Sequence, residues 1–428
     1  MEPKKLKFSD ILLIGLAVFA TYFGAGNLIF PPMLGLESGT AWPAGAVGMV
    51  ASAIGLPILA LVILGRRGSV QQISRHIHPN FFNFFIGIII VLCCCVTIPR
   101  TAAVGIEMGL QGIWPDAPYL PFVIGYFIVT YLFAKERGSA LDKVSKLLTP
   151  VMTVILFALV VKGALRPMGT PAAPTVDRPF LHSFLGGYNT GDVLVTFLMV
   201  TVFFDAIRSK GYEGHQLRQV NLGAGLVAAL CLMVIYIGLL YMGACVSSRY
   251  APDTIGNANL LLTIVRMSGG QLAVYGLCIS VLLACLTTAI GQVAAVADFF
   301  ETLTHGRLPY RILVIAVPVV TTVVASFGLD KIVVLTAPWF TFTYPIALVL
   351  MVLGLFEPIL PNDRCYQGAI YATIAYGLLE LPHAYGITLL DPILNHVPLY
   401  TLGFGWILPA VLGFLVGLLS GHQSKGAA

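Results

Sequence analysis

The segment Thr21-Tyr22-Phe23-Gly24-Ala25-Gly26-Asn27-Leu28-Ile29-Phe30-Pro31-Pro32 sets two glycines and an asparagine inside an otherwise apolar run. Glycine costs a helix roughly 1 kcal/mol relative to alanine, and a bilayer supplies no water to the amides and carbonyls that a break releases. A broken helix persists at membrane depth only where protein or a ligand takes up those groups. Its two ends differ in character. The N-terminus of the outer half presents amides and positive dipole to a carboxylate, while the carbonyls that close the inner half suit a sodium ion. Close packing against another helix is the competing use of Gly24 and Gly26; Asn27 and the prolines beside them favour a break.

A second constellation is Ala284-Cys285-Leu286-Thr287-Thr288-Ala289-Ile290-Gly291. Paired hydroxyls in an apolar helix either bond back to the carbonyl one turn earlier or add oxygens to the shell of a dehydrated hard cation, and both readings stay open. A third is Pro99-Arg100-Thr101-Ala102 followed by Glu107. Ionisable groups in a membrane helix normally face a cavity or a partner. Arg100 and Glu107 share a helix face, separated by about 10.5 Å of rise, so they meet only if both side chains stretch; an interfacial Glu107 is the alternative. Asp192 and Glu380, near the ends of their runs, read as interfacial. His76 and His78 fall in a basic loop and read as solvated, and the eight cysteines form no C-x-x-C pair and read as small core residues.

The elements that must position these groups follow from composition. Of 428 residues, 58% are hydrophobic and 10% charged, far below the roughly 25% charge of a soluble domain. The blocks Trp42 to Leu64 and Gln271 to Ala297 are continuous rather than alternating, which selects helices over a transmembrane barrel. Apolar runs predict about twelve spans: 9–34, 42–64, 81–111, 119–134, 147–165, 190–206, 221–247, 270–297, 311–327, 331–354, 366–383 and 399–420. With the N-terminus inside, 17 Lys and Arg fall on the cytoplasmic side against six outside (Lys162, Arg166, Arg178, Arg249, Arg266, Lys331), a bias that places both termini in the cytoplasm. Lys4, Lys5 and Lys7 imitate the start of a signal peptide, but no small-residue cleavage site follows, so 9–34 is expected to be the first span. The Pro- and Gly-rich stretch 166–189 reads as an outer loop. It would join two inverted five-span repeats, 1–165 and 190–354, with two further helices in 366–420.

The run Gly24 to Met33, the Pro99-Arg100-Thr101-Ala102 segment with Glu107, Ala206-Ile207-Arg208-Ser209-Lys210-Gly211, and Tyr344-Pro345 together resemble the bacterial branched-chain amino acid:cation symporter family, over most of the chain. The resemblance implies an all-α polytopic protein of twelve spans that takes up leucine, isoleucine and valine with sodium across the bacterial cytoplasmic membrane. More distantly, Gly24 to Pro31 and Ala284 to Gly291 look like the unwound first helix and the ion-binding eighth helix of LeuT-like symporters, whose first and sixth helices are broken. Carried over by position, the carbonyls of Ala20, Phe23 and Ala284 and the hydroxyls of Thr287 and Thr288 become the implied sodium ligands. The implied substrate residues are Gly24, Ala25, Gly26 and Asn27, with Met199 and Val200 where family members carry a Phe-Gly pair in the sixth run. The missing glycine leaves the second break without an obvious position.

No catalytic motif is present: H-E-x-x-H, a Gly-x-Ser-x-Gly elbow and a nucleotide loop are all lacking from the sequence, as is a repeated pore motif. The expected function is secondary transport, with a proton-coupled carrier for another small neutral amino acid and a channel as alternatives. No organic cofactor, nucleic-acid partner or further metal is expected. The partners are a hydrophobic L-amino acid, sodium and lipid.

Overall fold

The computed structural model describes residues 6–67, 70–135 and 140–420. Each of the twelve expected runs carries helix, and no strand occurs among the described residues. Lys4, Lys5, Arg137 and Lys425, counted on the basic side, lie outside the described residues.

The first span is two helices, α1 (Phe8–Tyr22) and α2 (Ala25–Ser38). Phe23 and Gly24 between them are extended (φ −78°, ψ 90° and φ −119°, ψ −169°). A continuing helix would bond the Gly24 amide to the Ala20 carbonyl; instead that amide donates to Asn27 Oδ1 at 3.1 Å. The helical stretch Ala25–Gly65 is 41 residues long, about twice what a bilayer core accommodates, and a turn at Gly39 (φ 47°) divides it into α2 and the second span. In the third span α3 (Ile98–Val104) sits between two π-helical turns, Cys93–Thr97 and Gly105–Leu110.

The sixth span differs from its expected form. Residues read as an outer loop fold as α4 (Pro179–Gly186) and a 3₁₀ turn, Gly187–Thr190, followed by α5 (Asp192–Ser209). The two pieces meet at a 41° bend, and together they are long and apolar enough to cross a membrane. The break therefore lies at Gly191, in the left-handed region (φ 83°, ψ 1°), not at Met199-Val200, which sit inside continuous α5. The sixth helical unit begins at Pro179, ahead of the 190 boundary expected for a second repeat.

Then α6 (Gly214–Val246) packs along both α1 and α2. A Cβ on Gly35 or on Gly243 would strike the backbone of Leu240 or Pro32, the small-residue contact by which membrane helices approach closely. In α7 (Asn257–Leu303) a kink at Gly270 (φ 74°) sets off the eighth span, and α8 (Leu329–Phe356) forms the tenth.

One end of the bundle gathers the basic turns. Asp10 binds Lys210 Nζ at 3.1 Å and Tyr212 OH at 2.8 Å, and Val62 and Gly65 lie beside His215 and Arg218. His76, expected to be solvated, is held by Asp363 at 2.7 Å and Glu357 at 3.3 Å and stacks on Tyr366. At the other end Glu37 binds His182 at 2.7 Å and Asn257 Nδ2 donates to Asp330 at 2.8 Å.

Candidate functional site

The two breaks meet in the interior. Asp192, the first residue of α5, is 1% exposed. Its Oδ2 accepts from Asn27 Nδ2 at 2.9 Å and from Tyr236 OH of α6 at 3.4 Å, and Asn27 Nδ2 also donates to Tyr236 OH. The Thr196 hydroxyl donates to the Asp192 carbonyl at 2.8 Å and pairs with Tyr22 OH at 2.9 Å. Tyr344 OH of α8 accepts the Val193 amide at 3.4 Å, and its ring stacks on Tyr188 at 4.4 Å. A carboxylate thus ties the sixth span to the first and the seventh, so the expectation of an interfacial Asp192 is corrected. The misreading has a physical source: Gly186, Gly187 and Asn189 lower the hydropathy of the outer half-helix and push the apparent span boundary inward to Asp192.

Arg100 is 4% exposed and does not pair with Glu107. Its Nη1 donates to the Asn189 carbonyl at 2.7 Å, and its guanidinium lies over the rings of Phe30 and Phe340 at 5.5 and 5.7 Å. Nη2 would stand 2.9 Å from a Cβ on Gly26, and Nε has no hydrogen-bond partner. Arg100 and Asp192 lie close enough to act electrostatically on one another. Glu107 sits at the bundle end away from the N-terminus, where Oε1 accepts the Leu329 amide at 2.7 Å and caps α8. There it lines a vestibule of about 460 Å³ with Gln111, Tyr119 and Gly328. Two turns of rise separate the pair, the π-turn at Gly105–Leu110 rotates Glu107 off the shared face, and each side chain has a nearer partner.

Three of the five implied ion residues meet elsewhere on α1. Ala20, Thr287 and Thr288 line one cavity of about 180 Å³, together with Thr21, Cys93, Leu198, Met199 and Gln292, whereas Phe23 and Ala284 do not line it. Thr287 and Thr288 both donate to the Ala284 carbonyl at 2.9 Å. Those bonds use the hydroxyl protons and leave oxygen lone pairs free, while the Ala284 carbonyl is engaged twice. Val200 is fully buried in α5 and does not line this cavity, whereas Met199 does. Gly24, Ala25, Gly26 and Asn27 occupy the break and the first turn of α2, with Phe23 buried beside them.

Comparison with known proteins extends this geometry. The profile of the family described as "Branched-chain amino acid transport protein" matches residues 7–424. The chain belongs to that family. Among relatives of the branched-chain amino acid transport proteins, the branched-chain amino acid permease BraB of Bacillus subtilis (strain 168) is 33% identical over 96% of this chain and 95% of its own. The branched-chain amino acid transport system 2 carrier protein of Pseudomonas aeruginosa is 30% identical over 97% and 96%. The crystal structure of MhsT in complex with L-phenylalanine superposes with a TM-score of 0.57 at 16% identity, covering 96% of this chain and 100% of that one. The Eremococcus coleocola manganese transporter does so at 0.56 and 14%, covering 97% of each. These neighbours fix the fold as LeuT-like. This member of the branched-chain amino acid transport proteins is a multi-pass membrane carrier, not an enzyme.

Sequence reasoning found Asn27, Arg100 and the threonine pair and missed Asp192, Tyr236 and Tyr344 as partners in one centre. Asp192 carried a usable signal, a carboxylate directly after glycine at the head of an apolar run. Tyr236 carried none: a tyrosine in a long apolar helix looks like core until its hydroxyl is seen to face a carboxylate.

Proposed function

We propose that the chain imports leucine, isoleucine and valine across the cytoplasmic membrane in symport with sodium, by alternating access, with both termini cytoplasmic and two inverted five-span repeats forming its core. The carrying observation is the meeting of two broken spans through the Asn27–Asp192 bond, beside a cavity that α1 shares with Thr287 and Thr288. A substrate at the breaks and an ion in that cavity would be held by spans that separate during the cycle, so each biases the same conformation. The curated relatives named as branched-chain amino acid permeases support the substrate class. Sodium rests on the oxygen set: the Ala20 and Phe23 carbonyls and two threonine hydroxyls are hard, neutral ligands suited to a dehydrated monovalent cation. A proton is the second reading, favoured by the buried carboxylate of Asp192.

Uptake of radiolabelled leucine into proteoliposomes tests the proposal. An inward sodium gradient at equal pH on both sides should drive accumulation, and collapsing it with a sodium ionophore should abolish it. Accumulation driven by a pH gradient in sodium-free medium would replace sodium with a proton. No leucine uptake under either gradient, with the protein inserted, would remove the substrate assignment.

A further inference from the structure

A carrier of amino acids must strip water from two opposite charges at once, and an unpaired charge in a low-dielectric interior costs several kcal/mol after relaxation, on the order of the penalty for any buried ion. Among the described residues three charged side chains are buried, and one of them, Asp10, is held at the bundle end by Lys210 and Tyr212. The other two, Arg100 and Asp192, face the two breaks.

Arg100 sets its charge against the start of α2. The guanidinium lies against Gly26, the second residue of α2, and a helix N-terminus carries a positive partial charge with unbonded amides. A cation there calls for an anion that meets both. Arg100 Nε is buried and unpartnered, so a planar donor remains for a carboxylate, whose two oxygens match the guanidinium fork. Asp192 is the opposite member. Its carboxylate is held by the neutral donors Asn27 and Tyr236 and by the field of Arg100, and an ionised carboxyl accepts more hydrogen bonds than these supply.

Resting on the reading of the chain as a sodium-coupled amino-acid carrier, in which Asp192 keeps its charge, we propose that Arg100 and Asp192 read the zwitterion itself. The substrate carboxylate meets the Nε edge of Arg100 and the first-turn amides of α2 together, and the substrate ammonium lies on Asp192. Without substrate the two residues compensate one another. With substrate each takes one of its charges, so the interior stays electrically balanced in both states. A ligand with one charge leaves either Arg100 or Asp192 uncompensated and is rejected. The apolar side chain then contributes affinity, and the charge pair decides that the ligand is an α-amino acid.

The test measures dissociation constants by calorimetry on the purified full-length protein for leucine, for 4-methylpentanoate (leucine without the ammonium) and for 3-methylbutylamine (leucine without the carboxylate). The wild type should bind leucine on the order of a hundredfold or more tighter than either analogue, as sites built around a polar group reject ligands that lack it. Asp192→Asn should shrink the preference for leucine over 4-methylpentanoate to about threefold and keep the preference over 3-methylbutylamine; Arg100→Gln should do the reverse. Equal weakening of all three ligands in both variants is what a merely structural role produces and would overturn the proposal. The wild type alone also decides it, whether or not the variants fold, since either analogue binding within threefold of leucine would overturn it. Should the wild type ignore leucine and bind another neutral amino acid, the substrate assignment falls, and the deaminated and decarboxylated forms of that amino acid test the charge pair.

Discussion

The first and sixth spans are both interrupted near mid-bundle, yet by different devices. At the first break the backbone is merely extended: Gly24 has φ −119° and ψ −169°, open to any residue, and a Cβ there would meet only Asn27 Oδ1 at 3.7 Å. At the sixth, Gly191 holds φ 83°, a conformation that side chains rarely adopt. The polar groups differ as well, a neutral Asn27 on one side and the carboxylate of Asp192 on the other, and Arg100 contacts both regions through Gly26 and the Asn189 carbonyl. The first break is thus held open by side-chain contacts and the second by its own backbone. Substitutions should separate the two.

Arg100→Ala should have the largest effect, because it removes the tie common to both breaks and leaves Asp192 buried without its counter-charge. A loss of about 1.5–3 kcal/mol is expected for removing a buried charged hydrogen-bond donor, visible as a collapse in monodisperse protein on size exclusion. Adding Asp192→Asn should restore part of the yield. Adding Glu107→Gln should not, since Glu107 serves the α8 terminus; rescue by Glu107→Gln alone would show that Arg100 answers to Glu107 and not to the two breaks.

Gly191→Ala comes next. The left-handed conformation costs a non-glycine residue about 1–3 kcal/mol, so the melting temperature of the purified carrier should drop, or the break should relax toward helix with loss of uptake. An unchanged melting temperature with full uptake would mean that the backbone does not hold this break.

Thr288→Val should raise the sodium concentration for half-maximal leucine uptake about tenfold, on the order of 1.4 kcal/mol, with apparent leucine affinity recovering at saturating sodium. Thr287→Val should behave alike. Unchanged sodium dependence in both would leave the hydroxyls as helix residues bonded back to Ala284, as they are here.

The smallest effects sharpen the first break. Gly24→Ala should stay within about 0.5 kcal/mol of wild type, as for an unhindered substitution. Gly26→Ala should cost more in thermal stability, because its Cβ would come within 2.9 Å of Arg100 Nη2 and 3.3 Å of the Phe30 ring. Equal tolerance at both positions would show that Arg100 is free to withdraw from α2.

Much of this architecture was legible in the sequence because hydropathy reports burial in lipid, and the first break was legible because Gly24, Gly26 and Asn27 interrupt a run that is otherwise apolar. The sixth break was not, since its outer half is short and carries Pro179, Gly186, Gly187 and Asn189, which read as loop on any hydropathy scale. The partner of Arg100 was left open for a related reason. Helical periodicity finds partners on the same helix, whereas Arg100 spends its hydrogen bond on Asn189, 89 positions away. Thr287 and Thr288 were found as a motif, but only the fold brings them to the same cavity as Ala20 and Met199.

Substrate at the breaks and sodium beside Thr287 and Thr288 are proposed to favour one conformation together. Leucine affinity of the purified carrier, measured in saturating sodium and in choline at the same pH, and sodium affinity, measured with and without leucine, test it directly. Each ligand should tighten the other by the same factor, as linkage requires. Leucine binding that is identical in sodium and choline would contradict it.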